Sequence, residues 1–326
     1  MTGNISRRSF IKGGIASCAV AASGIPASAS GADKDKQLAT LLDIGKCIGC
    51  GVCVEACSEV NAAKYPEPKK PFPKMYPDRA KPEDWSDKKD VNDRLTPYNW
   101  LFIQSADVTV NGEQKTITIP RRCMHCTNPP CVKLCPWGSA KQLENGISRI
   151  DPDLCLGGAK CREVCPWEIP QRQTGIGLYL DILPAFAGNG VMYKCDRCYN
   201  RIAEGKLPAC IEVCPKNVQE IGPRDEIIKK ARILAKEING YIYGENENGG
   251  TNTIYVSPVP FEELNKAIET GKGKPHLKAV SDSMEKANNL VAALAIAPIA
   301  GIAAAVGTFY KYSRKENEEK RDEPKE

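Results

Sequence analysis

Histidine and aromatic residues are scarce in this chain of 326 residues, and their scarcity excludes several functions. Only two histidines are present, His125 and His276, so a histidine-rich metal site is excluded. Aromatic residues make up 6% of the sequence, and no stripe of basic and aromatic residues indicates nucleic acid binding. The sequence also lacks a Ser/His/Asp set, a phosphate-binding loop, a dinucleotide fingerprint and a domain large enough for a pterin. Catalysis by this chain alone therefore has no support in its sequence.

The chain also carries little net charge. The formal charge is +5 at pH 7. Removing residues 1–29 removes Arg7, Arg8 and Lys12 and no acidic residue, which leaves a charge of +2. A chain so balanced gives no indication of a polyanionic partner.

Both ends of the chain predict a membrane destination. Adjacent Arg7 and Arg8 precede an apolar stretch and the small-residue pattern 27–29, which is typical of a twin-arginine export signal. Residues 290–310 carry no charge and are long enough to span a bilayer, although a buried alanine-rich helix is the alternative. Lys311 begins a basic flank, which places the tail 311–326 on the cytoplasmic side and the body outside.

Cysteine is abundant: 16 are present, and all but Cys18 fall in four groups. In chain order the groups are Cys47, Cys50, Cys53 and Cys57; Cys123, Cys126, Cys131 and Cys135; Cys155, Cys161 and Cys165; and Cys195, Cys198, Cys210 and Cys214. The first is spaced C-x2-C-x2-C-x3-C, and the third repeats that pattern with Gly158 in place of the second cysteine. Three thiolates on a short loop can hold one iron–sulfur cluster, while the fourth points toward another. Zinc and disulfides fit less well, since neither needs a third cysteine at this spacing.

Basic residues crowd these groups and can offset the negative charge of clusters. They are Arg121, Arg122, Lys133, Lys160, Arg162, Lys194 and Arg197. His125 could donate a hydrogen bond to a cluster sulfur, although an ordinary loop histidine is the alternative. Trp137 and Trp167 each follow a Cys-Pro pair, and we expect them to pack over clusters and exclude water.

These spacings resemble the four-cluster ferredoxin-like electron-transfer subunits of dimethyl sulfoxide reductase-type molybdoenzymes. The chain is more similar still to the membrane-anchored version found with periplasmic nickel–iron hydrogenases, which joins a twin-arginine signal, four cysteine groups and one C-terminal span. The match covers most of residues 40–225 and both ends. The resemblance implies an α+β fold of tandem ferredoxin-like dicluster domains with an inserted β-hairpin and loops, plus one C-terminal transmembrane helix.

The resemblance also implies which cysteines share a cluster. The implied sets are Cys47, Cys50, Cys53 and Cys214 for the first; Cys195, Cys198, Cys210 and Cys57 for the second; Cys123, Cys126, Cys131 and Cys165 for the third; and Cys155, Cys161 and Cys135 for the fourth. The fourth set lacks a ligand at Gly158, for which water, a backbone group or the carboxylate of Asp153 could substitute. Three 4Fe–4S clusters and one 3Fe–4S or open-site 4Fe–4S cluster are therefore expected.

The segments between the groups predict the rest of the organisation. Five regions follow: a signal peptide 1–29, a four-cluster domain 40–225 with an insertion 58–122, an extension 226–285, a transmembrane helix 290–310 and a tail 311–326. Residues 64–97 are predicted to form an extended surface loop and 166–194 a second insertion suited to docking. Local patterns predict a hairpin around Asn111-Gly112, a helix 225–238, a strand 253–256 and a helix 261–268.

The function expected is electron relay, without catalysis. The chain would connect a periplasmic catalytic subunit, either a hydrogenase or a molybdopterin oxidoreductase, with a quinone-reactive or cytochrome partner in the membrane. Two alternatives stay open: an enzyme that uses an open-coordination cluster as a Lewis acid, and a redox sensor. The first would need converging polar groups for a substrate and the second an output domain, and the sequence shows neither.

Overall fold

The computed structural model describes residues 36–285 apart from positions 77, 79, 80 and 111. The predicted signal peptide 1–29, transmembrane helix 290–310 and tail 311–326 lie outside the described residues. Between residues 36 and 285, no helix has both the length and the apolar character needed to cross a membrane.

The strands of the described region form one four-stranded sheet and three two-stranded ribbons. They are β1 (Leu38–Asp43), β2 (Phe102–Val110), β3 (Glu113–Arg121), β4 (Ala140–Gln142), β5 (Ser148–Ile150), β6 (Gln171–Gln173), β7 (Val191–Tyr193), β8 (Gln219–Pro223), β9 (Tyr241–Tyr243) and β10 (Thr253–Ser257). The ribbons pair β2 with β3, β4 with β5 and β6 with β7, all antiparallel.

The helices are short, with two exceptions. They are Val52–Asn61, Pro130–Lys133, Lys160–Glu163, Tyr179–Ile182, Tyr199–Ala203, Ala209–Glu212, Arg224–Glu237 and Phe261–Ala267. Three single 3-10 turns, Ile44–Lys46, Ala62–Lys64 and Glu247–Gly249, accompany them.

The main sheet joins the two ends of the described chain. Its strand order is β8-β1-β10-β9, and the central strands run parallel, with Leu41 opposite Ile254. The extension 226–285 is therefore an integral part of the fold, since it supplies two of the four strands. Strand β10 and the helix Phe261–Ala267 confirm the predicted strand and helix in this region.

Alternation along β1 separates two cores, as the period-two geometry of a strand requires. Ala39 and Leu41 pack under the helix Arg224–Glu237, whose buried face includes Ile227 and Ala231. This helix confirms the predicted amphipathic helix 225–238. The opposite face of the sheet, which includes Leu42, belongs to the larger core that contains the cysteines.

The predicted hairpin is present and leads directly into the second cysteine group. Strand β2 pairs with β3 from Phe102–Arg121 to Val110–Glu113. Its buried side chains alternate with exposed ones, so one face packs on the core. Arg121 at the end of β3 is followed by Arg122 and Cys123, so the hairpin fixes where this group begins.

The predicted surface loop 64–97 is folded down onto the body of the protein. Between Lys64 and Phe102 the described residues form no helix or strand. Met75 and Leu95 are nevertheless buried. The Glu83 carboxylate also forms salt bridges with Arg162, Arg172 and Lys272, which lie on three other segments. The expectation of an exposed loop was therefore too simple, because one buried anion ties the segment to its surroundings.

Four cysteine-lined cavities

A short helix directs the last two cysteines of each group to different places. The next-to-last cysteine of each group lies in a helix, and the last follows four residues later. Helix Val52–Asn61 packs on Ala209–Glu212, and Pro130–Lys133 packs on Lys160–Glu163. The groups are thereby brought together in two pairs, first with fourth and second with third.

The first cavity is lined by Cys47, Cys50, Cys53 and Cys214. Gly49 and Gly51 in its loop both adopt positive φ, at 68° and 78°, which lets the chain turn tightly between the cysteines. Cys50 is exposed, and the neighbouring Ile48 is 60% exposed. This cavity therefore lies at the protein surface.

The second cavity is lined by Cys57, Cys195, Cys198 and Cys210, all of which are buried. Arg122 and Asn61 also line it. Asn61 donates from Nδ2 to the Cys57 carbonyl at 2.8 Å and lies 3.7 Å from its Sγ. The Asn61 side chain thus places an N–H donor beside the buried thiols of this cavity.

The third set, Cys123, Cys126, Cys131 and Cys165, is also brought together. Burial raises the pKa of Cys126 well above its usual range, and the thiols of Cys165, Cys131 and Cys123 raise it further. Burial and neighbouring thiols of the same set raise the pKa of Cys165 to about 12. These mutual effects show that the four thiols surround one small region.

The fourth cavity is lined by Cys135, Cys155, Cys161 and Gly158. The Ser139 hydroxyl lies 3.3 Å from the Cys135 Sγ. Burial alone would raise the pKa of Cys135, but the hydrogen bonds from Ser139 and nearby backbone groups outweigh it and lower the pKa. Gly158 is exposed, so this cavity opens to solvent where the other sets have a fourth thiol.

Asp153 does not join the fourth cavity in this structure. Its side chain is exposed and lines a different cavity, together with Lys69 and Leu178. The three thiols around Gly158 therefore have no described carboxylate beside them in the lining of their cavity.

Consecutive cysteine sets are neighbours, in the order first, second, third and fourth, and this succession is called a row below. After burial, the largest effect on the pKa of Cys53 in the first cavity comes from Cys210 in the second. The pKa of Cys195 in the second cavity is raised by Cys123 in the third. After burial, the largest effect on the pKa of Cys161 in the fourth cavity comes from Cys131 in the third. Each consecutive pair of cavities is thus close enough for its thiols to interact.

Each cavity also has a backbone N–H aimed at one of its sulfurs. His125, Met192, Arg197 and Val218 donate to the Sγ atoms of Cys123, Cys155, Cys195 and Cys214 at 3.3–3.5 Å. Such donors stabilise thiolates and are a lever on the potential of iron–sulfur clusters. Buried N–H groups of Arg122 (Nε and Nη2) have no partner among the described residues, and neither does Nε2 of His125. Unpartnered donors beside thiols fit an anionic group held by those thiols.

Because they are buried, several of the thiols need a bound cation in order to lose their protons. Burial and neighbouring thiols raise the pKa of Cys57 and Cys161 well above the usual range, and that of Cys131 to about 11. The thiols would therefore keep their protons at neutral pH, whereas metal ligation requires thiolates. Binding of iron must release these protons. Within residues 36–285, no three His, Cys, Asp or Glu side chains lie close enough together to hold a single metal ion.

The two tryptophans differ from each other. Trp167 is buried and donates from Nε1 to the Tyr243 hydroxyl at 2.8 Å, which agrees with a role in excluding water. Trp137 is 56% exposed, so the expectation that it seals a cluster was wrong. It lies instead at the rim of the fourth cavity.

His125 is a buried neutral histidine. Its Nδ1 accepts a hydrogen bond from the Ser148 N–H at 3.2 Å, which leaves the proton on Nε2. Burial, followed by the charges of Arg197 and Lys194, lowers its pKa well below the usual range. It is therefore not an ordinary loop histidine, since its only ring donor is buried without a described partner.

The sequence analysis missed the polar residues that contact the thiols. Asn61 and Ser139 lie four residues after Cys57 and Cys135, and Gln219 contacts the Arg122 guanidinium. Helical spacing from Cys57 could have identified Asn61. No local signal indicates Gln219, because its contact depends on the pairing of β8 with β1.

The chain matches two family models, both described as the 4Fe-4S dicluster domain, over residues 46–139 and 114–224. It is 30% identical over 301 residues to the hydrogenase-2 operon protein HybA of Escherichia coli O157:H7, a match that covers 80% of this chain and 83% of that protein. It is 28% identical over 231 residues to the nitrate-inducible formate dehydrogenase iron-sulfur subunit of Escherichia coli K12, covering 69% of each. It is 31% identical over 199 residues to the probable anaerobic dimethyl sulfoxide reductase chain YnfG of the same strain, covering 61% of this chain and 80% of that one.

Proposed function

Because the chain belongs to the ferredoxin-like iron–sulfur subunit family of dimethyl sulfoxide reductase, formate dehydrogenase and hydrogenase-2, we propose that it relays electrons along four cysteine-bound clusters. Its partners would be a catalytic redox subunit at one end and a quinone-reactive or cytochrome subunit in the membrane at the other. The chain itself is an electron-transfer subunit and carries out no substrate chemistry.

The row of cavities is the observation that carries this proposal. The thiols of the second set are all buried and those of the third are buried apart from the half-buried Cys165, whereas the first and fourth cavities reach the surface at the exposed Cys50 and Gly158. An electron could therefore enter at one end and leave at the other without crossing solvent. A storage protein or a sensor would need neither a row nor two open ends.

The proposed ligand sets follow the cavity linings. They are Cys47, Cys50, Cys53 and Cys214; Cys57, Cys195, Cys198 and Cys210; Cys123, Cys126, Cys131 and Cys165; and Cys135, Cys155 and Cys161. The first three sets suit 4Fe–4S clusters. The fourth suits a 3Fe–4S cluster or an open-site 4Fe–4S cluster, since Gly158 offers no ligand.

When bound, each cluster supplies one site that accepts and releases a single electron. The residues of the chain do the rest. They hold the thiolates, direct one N–H at a sulfur in each cavity, and bury the two inner cavities away from water. Burial limits the reorganisation of solvent around a transferred charge, so the inner sites suit rapid passage of electrons.

An apolar groove of about 680 Å3 supports contact with a partner at the fourth cavity. It is lined by Met75, Trp137, Ile182, Leu183 and Phe186, among others. Trp137, Ile182, Leu183 and Phe186 are each at least 50% exposed. A large exposed apolar area beside an open redox site is typical of a protein interface. Part of the groove comes from residues 166–194, the insertion that the sequence suggested for docking.

We also propose a location on the outer face of the inner membrane. The twin arginines Arg7 and Arg8 would direct export of the folded protein, and residues 290–310 would anchor it. The basic residues that begin the tail, starting at Lys311, would remain in the cytoplasm.

Iron and acid-labile sulfide analysis of the purified full chain tests the relay. The expected content is about four clusters per chain, each of which accepts and releases an electron in a stepwise redox titration. Cys198→Ala should alter one cluster and leave the other three in place. A metal content dominated by zinc, or turnover of small substrates by the isolated chain, would refute the proposal.

A further inference from the structure

The structure separates the seven basic residues near the cysteines into distinct environments. Lys133 and Lys160 are exposed. Arg121 donates to the His276 carbonyl, and Arg197 to the Leu38 and Asn252 carbonyls. Arg162 is paired with Glu83. Arg197 also lines the second cavity, but its guanidinium is directed at those carbonyls and at the Thr253 hydroxyl. Arg122 and Lys194 remain, and both are buried next to the thiols.

Arg122 lies between the first and second cavities. Its side chain is buried, and Nη1 donates to the Cys210 Sγ at 3.0 Å. Its charge also lowers the pKa of Cys53 in the first cavity and of Cys57 and Cys195 in the second. Its partners among the described residues are the Cys210 Sγ and the Gln219 amide oxygen, with no carboxylate, and two of its N–H nitrogens have no partner there.

Lys194 lies between the second and third cavities. Its Nζ donates to the carbonyls of Ser148 and Cys195. It is buried beside Cys195, and Cys123 and Cys131 in the third cavity are close enough to interact with its charge. Lys194 therefore has thiols on both sides.

The fourth cavity has a different electrostatic environment. Lys160 lines it but is exposed to solvent, and the half-buried Arg162 and the buried Arg172 both bind the Glu83 carboxylate. The negative charge of Glu83 offsets much of their positive charge at that end. Internal positive charge is therefore concentrated along the first three cavities.

We propose that Arg122 and Lys194 are potential-setting residues, each a fixed charge that makes two neighbouring clusters easier to reduce. Arg122 acts on the first and second clusters, and Lys194 acts on the second and third. The inference rests on the proposed relay and adds the order of its potentials. One electron that arrives at a site, with no proton, adds one negative charge beside the cation, which stabilises the reduced form. The second cluster feels both cations and the fourth feels neither.

Two neutral variants test the proposal by the potentials of the loaded full chain. Lys194→Met should lower the reduction potentials of the second and third clusters. Arg122→Met should lower those of the first and second, so the second cluster responds to both variants. At an effective dielectric of about 20, losing a charge roughly 6 Å from the added electron changes the ratio of oxidised to reduced cluster by on the order of a hundredfold. For a one-electron couple, a hundredfold corresponds to about 120 mV. Titration followed by electron paramagnetic resonance resolves the four sites.

Lys133→Met is the matched control, because Lys133 lies two residues from Cys131 but is exposed, and it should shift no potential by a comparable amount. Unchanged potentials in the neutral variants, or an equal shift of all four, would overturn the inference. The relay would still stand in that case, provided that iron analysis shows about four clusters.

A measurement on the unmodified chain covers the case in which a variant loses its clusters. With arginine labelled by 15N in its guanidinium group only, so that the backbone N–H of Arg197 at the Cys195 Sγ stays silent, pulsed electron paramagnetic resonance of the reduced protein should detect a nitrogen coupling from Arg122 at one of the clusters. The Nη1–Sγ contact to Cys210 predicts this coupling. Arg122→Met, or Arg122→Lys if the former does not assemble, should abolish the arginine signal. Absence of the coupling from the unmodified chain would contradict the placement of Arg122.

Discussion

At position 158 the chain has no side chain, whereas the other three cavities each have a fourth thiol. Gly158 is not held to glycine by its own backbone. A Cβ added at Gly158 would meet nothing within 4 Å, and its φ is not positive. The adjacent Gly157 is constrained instead, since its φ is 66° and a Cβ added there would lie 2.4 Å from the Gly190 carbonyl oxygen. The missing ligand is therefore a replaceable feature of the sequence.

Gly158→Cys should convert the fourth cluster. The wild type is expected to show a near-isotropic three-iron signal by electron paramagnetic resonance of the air-free oxidised protein, because three thiols hold three irons. The variant supplies a fourth thiol in open space, so the signal should disappear and the iron content should rise by about one per chain.

Gly158→Ala is the control for that change, since it adds a Cβ without a thiol and should retain the signal. Mössbauer spectra that show only diamagnetic four-iron clusters in the oxidised wild type would contradict the three-iron assignment. The fourth ligand would then have to come from a group other than Asp153, which lines another cavity.

The cysteines themselves could be identified from the sequence, because cluster ligation fixes the type and the spacing of its ligands within short loops. Their polar neighbours could not. Gln219 and Glu83 reach Arg122 and Arg162 across 97 and 79 residues of chain. Contacts at such separations depend on the completed fold and leave no local pattern.

The segment 66–95 is the element with the least regular structure, and one carboxylate stabilises much of its position. Burial would raise the pKa of Glu83, but hydrogen bonds from Arg162 and Lys272 and the charge of Arg172 outweigh burial and lower it to about 2. A carboxyl whose pKa is lower in the folded state stabilises the fold above its unfolded pKa, here about 4.5. That contribution is lost as the pH falls from about 4.5 towards 2.

Glu83→Gln should therefore destabilise the protein at neutral pH by roughly 3 kcal/mol, in proportion to the shift in pKa. It should also make residues 66–95 more accessible to protease, because three cations lose their shared partner. Thermal unfolding between pH 7 and pH 3 should show a shallower loss of stability in the variant than in the wild type.

Glu163→Gln serves as the control, since Glu163 pairs with Lys160 at the surface and should change stability by less than about 0.5 kcal/mol. Equal cleavage of residues 66–95 in the wild type and Glu83→Gln would contradict the role of Glu83.

Elements with strong local periodicity were predicted correctly, and those that depend on distant pairing were not. The hairpin, the helix Arg224–Glu237 and strand β10 each follow from turn residues or from one apolar face. The four-stranded sheet was not predicted, because β1 pairs with β10 across more than two hundred residues. Likewise, most of the helices that contain the next-to-last cysteine of a group are too short for a helical period to show in the sequence.

At the scale of the whole molecule, the proposed export would have to follow folding and cluster insertion, because the thiols of the inner cavities become accessible only if the fold opens. The twin-arginine route carries folded proteins, so clusters would be inserted in the cytoplasm. Replacing Arg7 and Arg8 by Lys should leave the full-length precursor in the cytosolic fraction, since the receptor distinguishes guanidinium groups from ammonium groups. Fractionation followed by immunoblotting measures this.

Lys12→Gln is the matched control for export, because it removes a nearby positive charge and keeps the arginine pair. It should be exported normally. Normal export of the doubly substituted chain would contradict the signal assignment, and the proposed location would then need another route.

The parallel pairing of β1 with β10 has a consequence for timing during synthesis. Thr40 on β1 lines the second cavity, and Thr253 on β10 binds the Cys123 carbonyl and the Arg197 side chain. These walls cannot assemble until the ribosome has produced the far strand. At about 5–20 residues per second, the delay is roughly 10 to 40 s. During that interval the first cysteines have emerged while the inner cavities still lack a wall, which leaves a period in which iron–sulfur assembly proteins can reach thiols that the finished sheet encloses.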